Sequence, residues 1–211
     1  MGVEKGFVQL MAIIDTLLGP KGCPWDKKQT ANSLIHMLLE EVYEAIDDIE
    51  RGEQLADEMG DILMTALMLA KAAEREGLFV WDRPFFNAAE KLIRRHPHVF
   101  KNERELTVEE VERQWAENKE KEQSQQKRTG PFDGICVSLP ALSKAQKCIQ
   151  RAKNDHRLQD LLDQPSDDRE FEYGRVLAKI VLEAEQDGVQ AERALRTFCS
   201  TLIQGLGRED R

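Results

Sequence analysis

The chain has 211 residues, of which 33% are charged and 6% aromatic, and this composition favours a helical protein with a substantial core over a β-sandwich. Its formal charge is -9, and the acidic excess lies wholly in residues 1–120, because residues 121–211 carry equal numbers of acidic and basic side chains. Such an acidic surface repels nucleic acid, and no apolar run reaches membrane-spanning length, so neither kind of partner is expected.

The N-terminus and the cysteines indicate a cytoplasmic protein. MGVEKG is not followed by the long apolar segment of a signal peptide. The four cysteines are scattered without a CxxC pair, which favours free thiols in a reducing compartment over a disulfide framework or a zinc site: Cys23, Cys136, Cys148 and Cys199.

The first predicted helix runs from Val3 to Leu18, where apolar residues recur on one face, and Gly19-Pro20 ends it. The loop GPKGCPWDKKQT follows, and two interpretations of it remain open. It is either a connector whose Trp25 folds onto the core, or a loop that closes over a substrate. In the second case Trp25 offers a ring for stacking, and Lys28 is one of its cations for phosphate.

A second helix is expected to begin near Thr30 to Asn32, since both residues are good N-caps. Glu41 interrupts its apolar stripe, and Glu44 lies beside that stripe. Burial of an unpaired carboxylate costs roughly several kcal/mol, so these groups require a cation or a full set of hydrogen bonds.

The third predicted helix spans about Glu53 to Glu76, with an apolar stripe made of Leu55, Ile62, Ala66, Leu69 and Ala73. Glu58 falls within that stripe, and Asp61 lies one turn further on. Glu44 and Glu58 are each seven residues from Arg51, which puts both about 10 Å from the bend of an antiparallel hairpin.

This register brings four carboxylates to one level of the hairpin: Glu41, Glu44, Glu58 and Asp61. They would repel one another without a metal, and oxygen ligands of this kind select Mg²⁺, with Mn²⁺ as a substitute, over zinc. The other acidic residues of the hairpin are interpreted as a solvent-exposed face, which is the usual role of acidic clusters on helices: Asp47, Asp48, Glu50 and Glu53.

A fourth helix is predicted from about Phe85, and it ends in the basic residues Lys91, Arg94 and Arg95. These cations either hold a polyphosphate or complement the helix dipole. His96 and His98 follow, and structural capping is favoured over metal ligation for them.

A capping box at Thr107 predicts a fifth helix that runs through Trp115 and fades into a polar stretch. The predicted organisation is a catalytic domain over 1–120, a polar linker over 121–134 and a smaller helical region over 135–211.

Four motifs in the right order, between Val3 and Lys121, resemble those of the MazG nucleoside triphosphate pyrophosphohydrolases. They are GCPWD, the EExxE of Glu40–Glu44, the ExxD of Glu58–Asp61, and KLIRRHPHVF. The resemblance implies an all-α fold of four-helix-bundle type and Mg²⁺-dependent hydrolysis of nucleoside triphosphates to monophosphate and pyrophosphate. Because one such unit covers its amphipathic faces poorly, a homodimer is expected.

The resemblance also implies roles for single residues. The four hairpin carboxylates match the metal ligands, the segment from Lys91 to Arg95 matches a substrate-binding segment, and Trp115 resembles a Trp near the nucleotide. Glu40 is our candidate for orienting or deprotonating the attacking water. Two functional alternatives remain: a narrower dCTP, dUTP or phosphoribosyl-ATP pyrophosphohydrolase, and a non-catalytic nucleotide sensor or partner-binding protein.

The second half resembles a shortened second copy of the first, although two amphipathic helices can also look alike by chance. Gly174-Arg175 stands where the first copy has Gly60-Asp61, and no EExxE lies between Ala152 and Gly174. Because an arginine in place of a ligand aspartate repels a cation, the second half is predicted to bind no catalytic metal. Packing on the first half, dimerisation or weak nucleotide binding are its open roles.

Overall fold

The computed structural model describes residues 2–101, 105–125 and 130–206, and every regular element within those ranges is a helix. The predicted all-α fold is therefore confirmed. Contacts between the helices divide the chain into two compact units, Met1–Thr107 and Val108–Arg211, and each is described by itself. No helix within the described ranges is long and apolar enough to cross a membrane.

The first unit is built around a helical hairpin. Its helices are α1 (Val3–Leu18), α2 (Pro24–Lys28), α3 (Ala31–Arg51), α4 (Ala56–Arg75), α5 (Arg83–Arg95) and α6 (Pro97–Phe100). Helices α3 and α4 pack along each other, and α1 packs on α2 and α4. The limits of α1 agree with the prediction, whereas the short helices α2 and α6 were not predicted.

Local signals set both ends of α3. At its start, the Thr30 side chain accepts a hydrogen bond from the Ser33 N–H (3.1 Å), and the Ser33 side chain accepts one from the Thr30 N–H (3.0 Å). At its end, Gly52 has φ 70° and ψ 30°, a left-handed conformation that glycine adopts without steric strain. The chain therefore turns at the predicted bend, and α4 begins four residues later.

The core of the first unit lies between α1, α3 and α4, with buried residues Ile14, Leu34, Leu67, Met68 and Ala72. The predicted stripe of α4 is confirmed only in part: Ala73 is buried and Leu69 packs against the core, but the other buried residues of the helix are Thr65, Leu67, Met68 and Ala72. Residues 62–70 are almost all apolar, so their spacing does not define one face. Towards the N-terminus of α4, the buried face that the structure shows continues to Asp61 and then to Glu58.

The far end of the hairpin fixes the loop before α3. Arg75 donates hydrogen bonds to the carbonyl oxygens of Lys27 (3.1 Å) and Gln29, and the Glu76 carboxylate accepts one from the Ala31 N–H (2.9 Å). Trp81, which follows α4, packs against the core, and the Lys71 Nζ lies 4.2 Å from the centroid of its ring. These contacts tie α2 to the C-terminal end of α4.

The second unit contains α7 (Val108–Gln125), α8 (Ala141–Ala152), α9 (Arg157–Asp163), α10 (Arg169–Gln186) and α11 (Ala191–Leu206). Helix α10 is its centre, because it packs on α8, α9 and α11. The core is formed by Ile149, Val181 and Ala191. The seven residues of α9 are too few to replace α3, as the sequence predicted for this segment.

Helix α7 begins directly after Thr107, and it continues to Gln125, into the stretch predicted as a linker. Residues 126–129 of that stretch lie outside the described residues. Helix contacts assign α7 to the second unit. The division into 1–120, 121–134 and 135–211 stays a prediction.

Candidate metal centre

Three carboxylates meet inside the α3–α4 hairpin. Glu41 and Glu44 project from α3 and Glu58 projects from α4, and one oxygen atom of each lies within 4.8 Å of the others. Within the described part of the chain, no other group of three His, Cys, Asp or Glu side chains comes as close. The hairpin register that the sequence predicted is the cause, since it sets Glu44 and Glu58 at equal distances from the bend.

Asp61 lies at the edge of this cluster. It is half-buried on α4, one turn after Glu58 and on the same face. Its charge acts on both Glu41 and Glu58, although it is not within the 4.8 Å group. The structure thus brings three of the four predicted ligands together and keeps the fourth in electrostatic contact.

The electric field in the hairpin opposes ionisation of its carboxylates. Burial raises the pKa of Glu41 above its ordinary value, and the charges of Asp61, Glu44 and Glu40 raise it further. Burial likewise raises the pKa of Glu58, with Asp48 as the largest charge contribution. In both cases partial burial is the largest cause, and the charges of neighbouring carboxylates add to it.

One oxygen of Glu58 gives a direct test of whether a cation fits. Glu58 Oε2 is buried, and it accepts no hydrogen bond from any residue that the structure describes. Buried oxygens of this kind nearly always have a partner, so an unpaired one calls for an explanation. A donor set made only of carboxylate oxygens suits a hard divalent cation, and such a cation would satisfy this oxygen.

Asp48 corrects the interpretation that the remaining acidic residues of the hairpin are solvent-exposed. Asp47, Glu50 and Glu53 are exposed, but Asp48 is only 9% exposed. Its Oδ1 lies 2.7 Å from the Arg51 Nη2. The spacing offered the signal, because Asp48 follows Glu44 by four residues and therefore shares its face.

Two predicted substrate contacts lie at the other end of the hairpin. Trp25 is 55% exposed, and the exposed Lys28 follows it on α2. Helix α2 is tied to Arg75, which is 17 residues from Glu58 and hence about 25 Å along α4. Within one copy of the chain, the structure does not bring Trp25 or Lys28 to the carboxylates.

The predicted cations lie on α5, which carries no buried residue. Lys91 and Arg94 are exposed, and Arg95 is half-buried. His96 Nδ1 lies 2.8 Å from the Leu92 carbonyl oxygen, so this histidine caps the helix end as predicted.

Trp115 and Glu40 complete the predicted set. Trp115 is half-exposed on α7, in the second unit. Glu40 is exposed on α3, where its charge acts on Glu41. The roles of all these residues stay predictions.

Comparison with known proteins identifies a family model, the MazG nucleotide pyrophosphohydrolase domain, that matches residues 29–100. This match contains the whole α3–α4 hairpin and α5. It begins after Trp25 and Lys28, and it ends before Trp115.

Three relatives show how far the similarity extends. "Uncharacterized protein YabN" of Bacillus subtilis is 40% identical over 67% of this chain and 29% of that protein. "Nucleoside triphosphate pyrophosphohydrolase" of Escherichia coli K12 is 38% identical over 69% of this chain and 57% of that protein. This chain thus spans well under two thirds of either relative.

The third relative is matched along most of its length. "Nucleoside triphosphate pyrophosphohydrolase/pyrophosphatase MazG" of Thermotoga maritima is 33% identical over 94% of this chain and 83% of that protein.

Proposed function

Since the chain belongs to the MazG nucleotide pyrophosphohydrolase family, we propose that it hydrolyses nucleoside triphosphates to nucleoside monophosphates and pyrophosphate at the carboxylates of the α3–α4 hairpin. One observation carries the proposal: three carboxylates converge within 4.8 Å, and a buried oxygen of Glu58 has no partner among the described residues. Side chains that serve only to stabilise a fold are rarely arranged in this way, because each carboxylate destabilises the charged form of its neighbours.

Glu41, Glu44, Glu58 and Asp61 would hold the divalent cation in this proposal. We assign Mg²⁺ as the ion, with Mn²⁺ as a substitute, because the donors are all carboxylate oxygens. When bound, the cation would offset the charge of the phosphate oxygens and lower the pKa of a coordinated water. The four carboxylates would fix the position of the cation. Until the cation binds, they would leave the site with an excess of acidic groups.

Glu40 is proposed to accept or direct a proton. Hydrolysis consumes one water, breaks the anhydride bond between the α- and β-phosphoryl groups, and releases a proton from that water. A base beside the cation is therefore required. Glu40 is exposed to solvent, and its charge acts on Glu41, so in this proposal it would stand beside the centre and pass the proton to bulk water.

The substrate's charge and base would be held by residues beyond the hairpin. Lys91, Arg94 and Arg95 place cations on one helix, which suits a polyphosphate. Trp115 would contact the nucleoside. Trp25 and Lys28 lie at the opposite end of the hairpin within one copy, so in this proposal they serve the centre of a second copy.

A homodimer is part of the proposal because large apolar side chains remain uncovered on the helices of the site. On α3 they include Ile35 (39% exposed) and Leu39 (47%), and on α5 Phe85 (47%) and Phe86 (63%). Apolar surface of this extent is typical of an association face. We also propose a cytoplasmic setting, in which all four unpaired cysteines stay reduced.

The test is pyrophosphate release from the eight common NTPs and dNTPs, with and without Mg²⁺. Wild type is compared with Glu58→Gln and with Asp57→Asn, a matched loss of charge at the adjacent, exposed residue of α4. We expect Mg²⁺-dependent release that falls at least about 100-fold in Glu58→Gln, as for loss of a group that binds the transition-state metal, and is unchanged in Asp57→Asn. Release that persists in Glu58→Gln, or no release from any substrate by folded wild type, would contradict the proposal.

A further inference from the structure

We infer that Asp48 is a further acidic member of the cation centre, beside the four proposed ligands, and that Arg51 is its built-in counter-ion, whose charge opposes the binding of a divalent cation. This inference rests on the proposed cation centre and adds to it two residues outside the four proposed ligands. It assigns Asp48 a charge role in the site and Arg51 an opposing one.

The position of Asp48 is fixed by the bend of the hairpin. Asp48 follows Glu44 by four residues, so it lies one turn, about 6 Å, closer to the bend on the same face. The backbone N–H groups of Gly52 and Glu53 both donate to its carbonyl oxygen, the latter at 2.9 Å. With its backbone held in this way and only 9% of the residue exposed, Asp48 is directed into the hairpin.

Asp48 lies one helical turn from the point where the hairpin helices bring two carboxylates together. It shares a face of α3 with Glu44, and an oxygen of Glu44 lies within 4.8 Å of a Glu58 oxygen. Glu58 also carries the buried Oε2 that has no partner in the described residues. Asp48 therefore lies one turn of α3 from the part of the centre in which a buried oxygen has no partner among the described residues.

Arg51 neutralises Asp48 from the solvent side. Its Nη2 lies 2.7 Å from Asp48 Oδ1, and its Nε lies 3.2 Å from Glu53 Oε1. Half of the Arg51 side chain is exposed, so the pair can open without unfolding the hairpin. A guanidinium this close repels an incoming divalent cation, whereas the Asp48 carboxylate attracts one.

The experiment is a Mn²⁺ titration of the full chain without nucleotide, followed by the electron paramagnetic resonance signal of free Mn²⁺. Asp48→Asn is expected to weaken Mn²⁺ binding about tenfold, as is usual for loss of a partner next to metal ligands. Asp47→Asn removes the same charge from the adjacent exposed residue, and it is expected to change the affinity less than about twofold. Arg51→Gln is expected to strengthen binding.

The opposite signs separate a charge role from a structural one. If Asp48 and Arg51 only stabilised the hairpin bend, both variants would lower the melting temperature. Their effects on the Mn²⁺ affinity would then not be opposite in sign. Equal affinities for Asp48→Asn and Asp47→Asn, or weaker binding by Arg51→Gln, would overturn the inference. If Asp48→Asn does not fold, Arg51→Gln decides alone: tighter binding supports the inference, and equal or weaker binding overturns it. No saturable Mn²⁺ binding by wild type would overturn the proposed cation centre itself.

Discussion

Helix α4 of the first unit and α10 of the second are built on the same plan. Each is a central helix of its unit, and each has a buried residue nine positions after a glutamate: Leu67 follows Glu58, and Val181 follows Glu172. Both helices are followed by a glycine with positive φ, Gly77 at 75° and Gly188 at 71°. The two helices differ in how the glutamate is neutralised.

In the first unit Glu58 stands in the motif EMGD, and in the second Glu172 stands in EYGR. Glu172 receives its positive charge from within the chain, since Arg175 Nη2 lies 2.6 Å from its Oε2, and the Ser166 N–H donates to its Oε1 at 2.8 Å. These bonds lower the pKa of Glu172, whereas burial and neighbouring carboxylates raise the pKa of Glu58.

The comparison shows two solutions for a carboxylate on the inner face of a helix. In the second unit, the Arg175 guanidinium fills this position at Glu172, and at the exposed Asp163 Lys179 forms a further ion pair at 2.7 Å. A position without such a partner stays open to a cation from solution but destabilises the empty protein. Among the described residues of the second unit, no three metal-binding side chains converge.

The largest expected effect separates the two glutamates. Glu58→Gln is expected to abolish Mn²⁺ binding by the full chain, a loss of at least about 100-fold, because it removes a proposed ligand. Glu172→Gln removes the corresponding charge of α10, and it is expected to leave Mn²⁺ affinity unchanged while lowering the melting temperature. Isothermal titration calorimetry and a thermal melt on each variant make the measurement. A weaker affinity in Glu172→Gln would contradict the difference between the units.

A second prediction concerns the replacement of Arg175 by aspartate, the residue at the corresponding position of the first unit. In a chain whose first centre is silenced by Glu58→Gln, Arg175→Asp is expected to give no Mn²⁺ binding, although it recreates the ExxD spacing. The reason is that the seven-residue α9 offers Asp163 opposite α10, where Lys179 already pairs with it, whereas α3 offers both Glu41 and Glu44 opposite Glu58. The same titration with the single Glu58→Gln variant is the control. Saturable binding by the double variant would show that the acidic motif suffices without a facing helix.

The two units should also respond to pH with opposite sign. Glu41 and Glu58 have a pKa raised above 4.5, so without a cation they bind protons more tightly when folded. Their contribution to the free energy of unfolding is fully present below 4.5 and is lost as pH rises through the raised values. Glu172 and Asp163 have a lowered pKa, so their contribution is present above the ordinary values and is lost as pH falls.

Amide hydrogen exchange between pH 4 and pH 7 can measure this difference unit by unit, after correction for the pH dependence of intrinsic exchange. Protection of α3 and α4 is expected to fall with rising pH and to recover on addition of Mg²⁺. Protection of α10 is expected to rise over the same range and to be indifferent to Mg²⁺. If protection changed with pH in the same direction in the α3–α4 hairpin and in α10, the predicted electrostatic difference between the two units would be refuted.

The smallest expected effect tests what the units share. Gly77→Ala and Gly188→Ala should each destabilise the protein by about 1 kcal/mol, because a side chain at positive φ is strained. Gly174→Ala is the control: it lies inside α10, and an added Cβ meets nothing within 4 Å. It should stabilise the helix by about 0.5–1 kcal/mol. Urea unfolding of the three variants measures these values, and unequal losses at Gly77 and Gly188 would show that the two ends are not equivalent.

Much of the hairpin could be predicted from the sequence because short-range signals control it. The limits of α1, the Thr30 cap of α3 and the bend at Gly52 follow from apolar spacing, a capping side chain and a glycine that accepts positive φ. Once the bend is placed, the rise of a helix sets Glu44 level with Glu58. The convergence of the carboxylates therefore follows from the sequence.

The tertiary structure determined those features that depend on which neighbouring helix covers a residue. The apolar run of α4 has several faces that could pack, and only contact with α1 and α3 selects the one with Thr65 and Met68. Contact with Arg75 holds the loop that carries Trp25 at the opposite end of the hairpin. The spacing of residues does not predict these contacts. The burial of a residue depends on two elements that pack together, whereas spacing describes one element at a time.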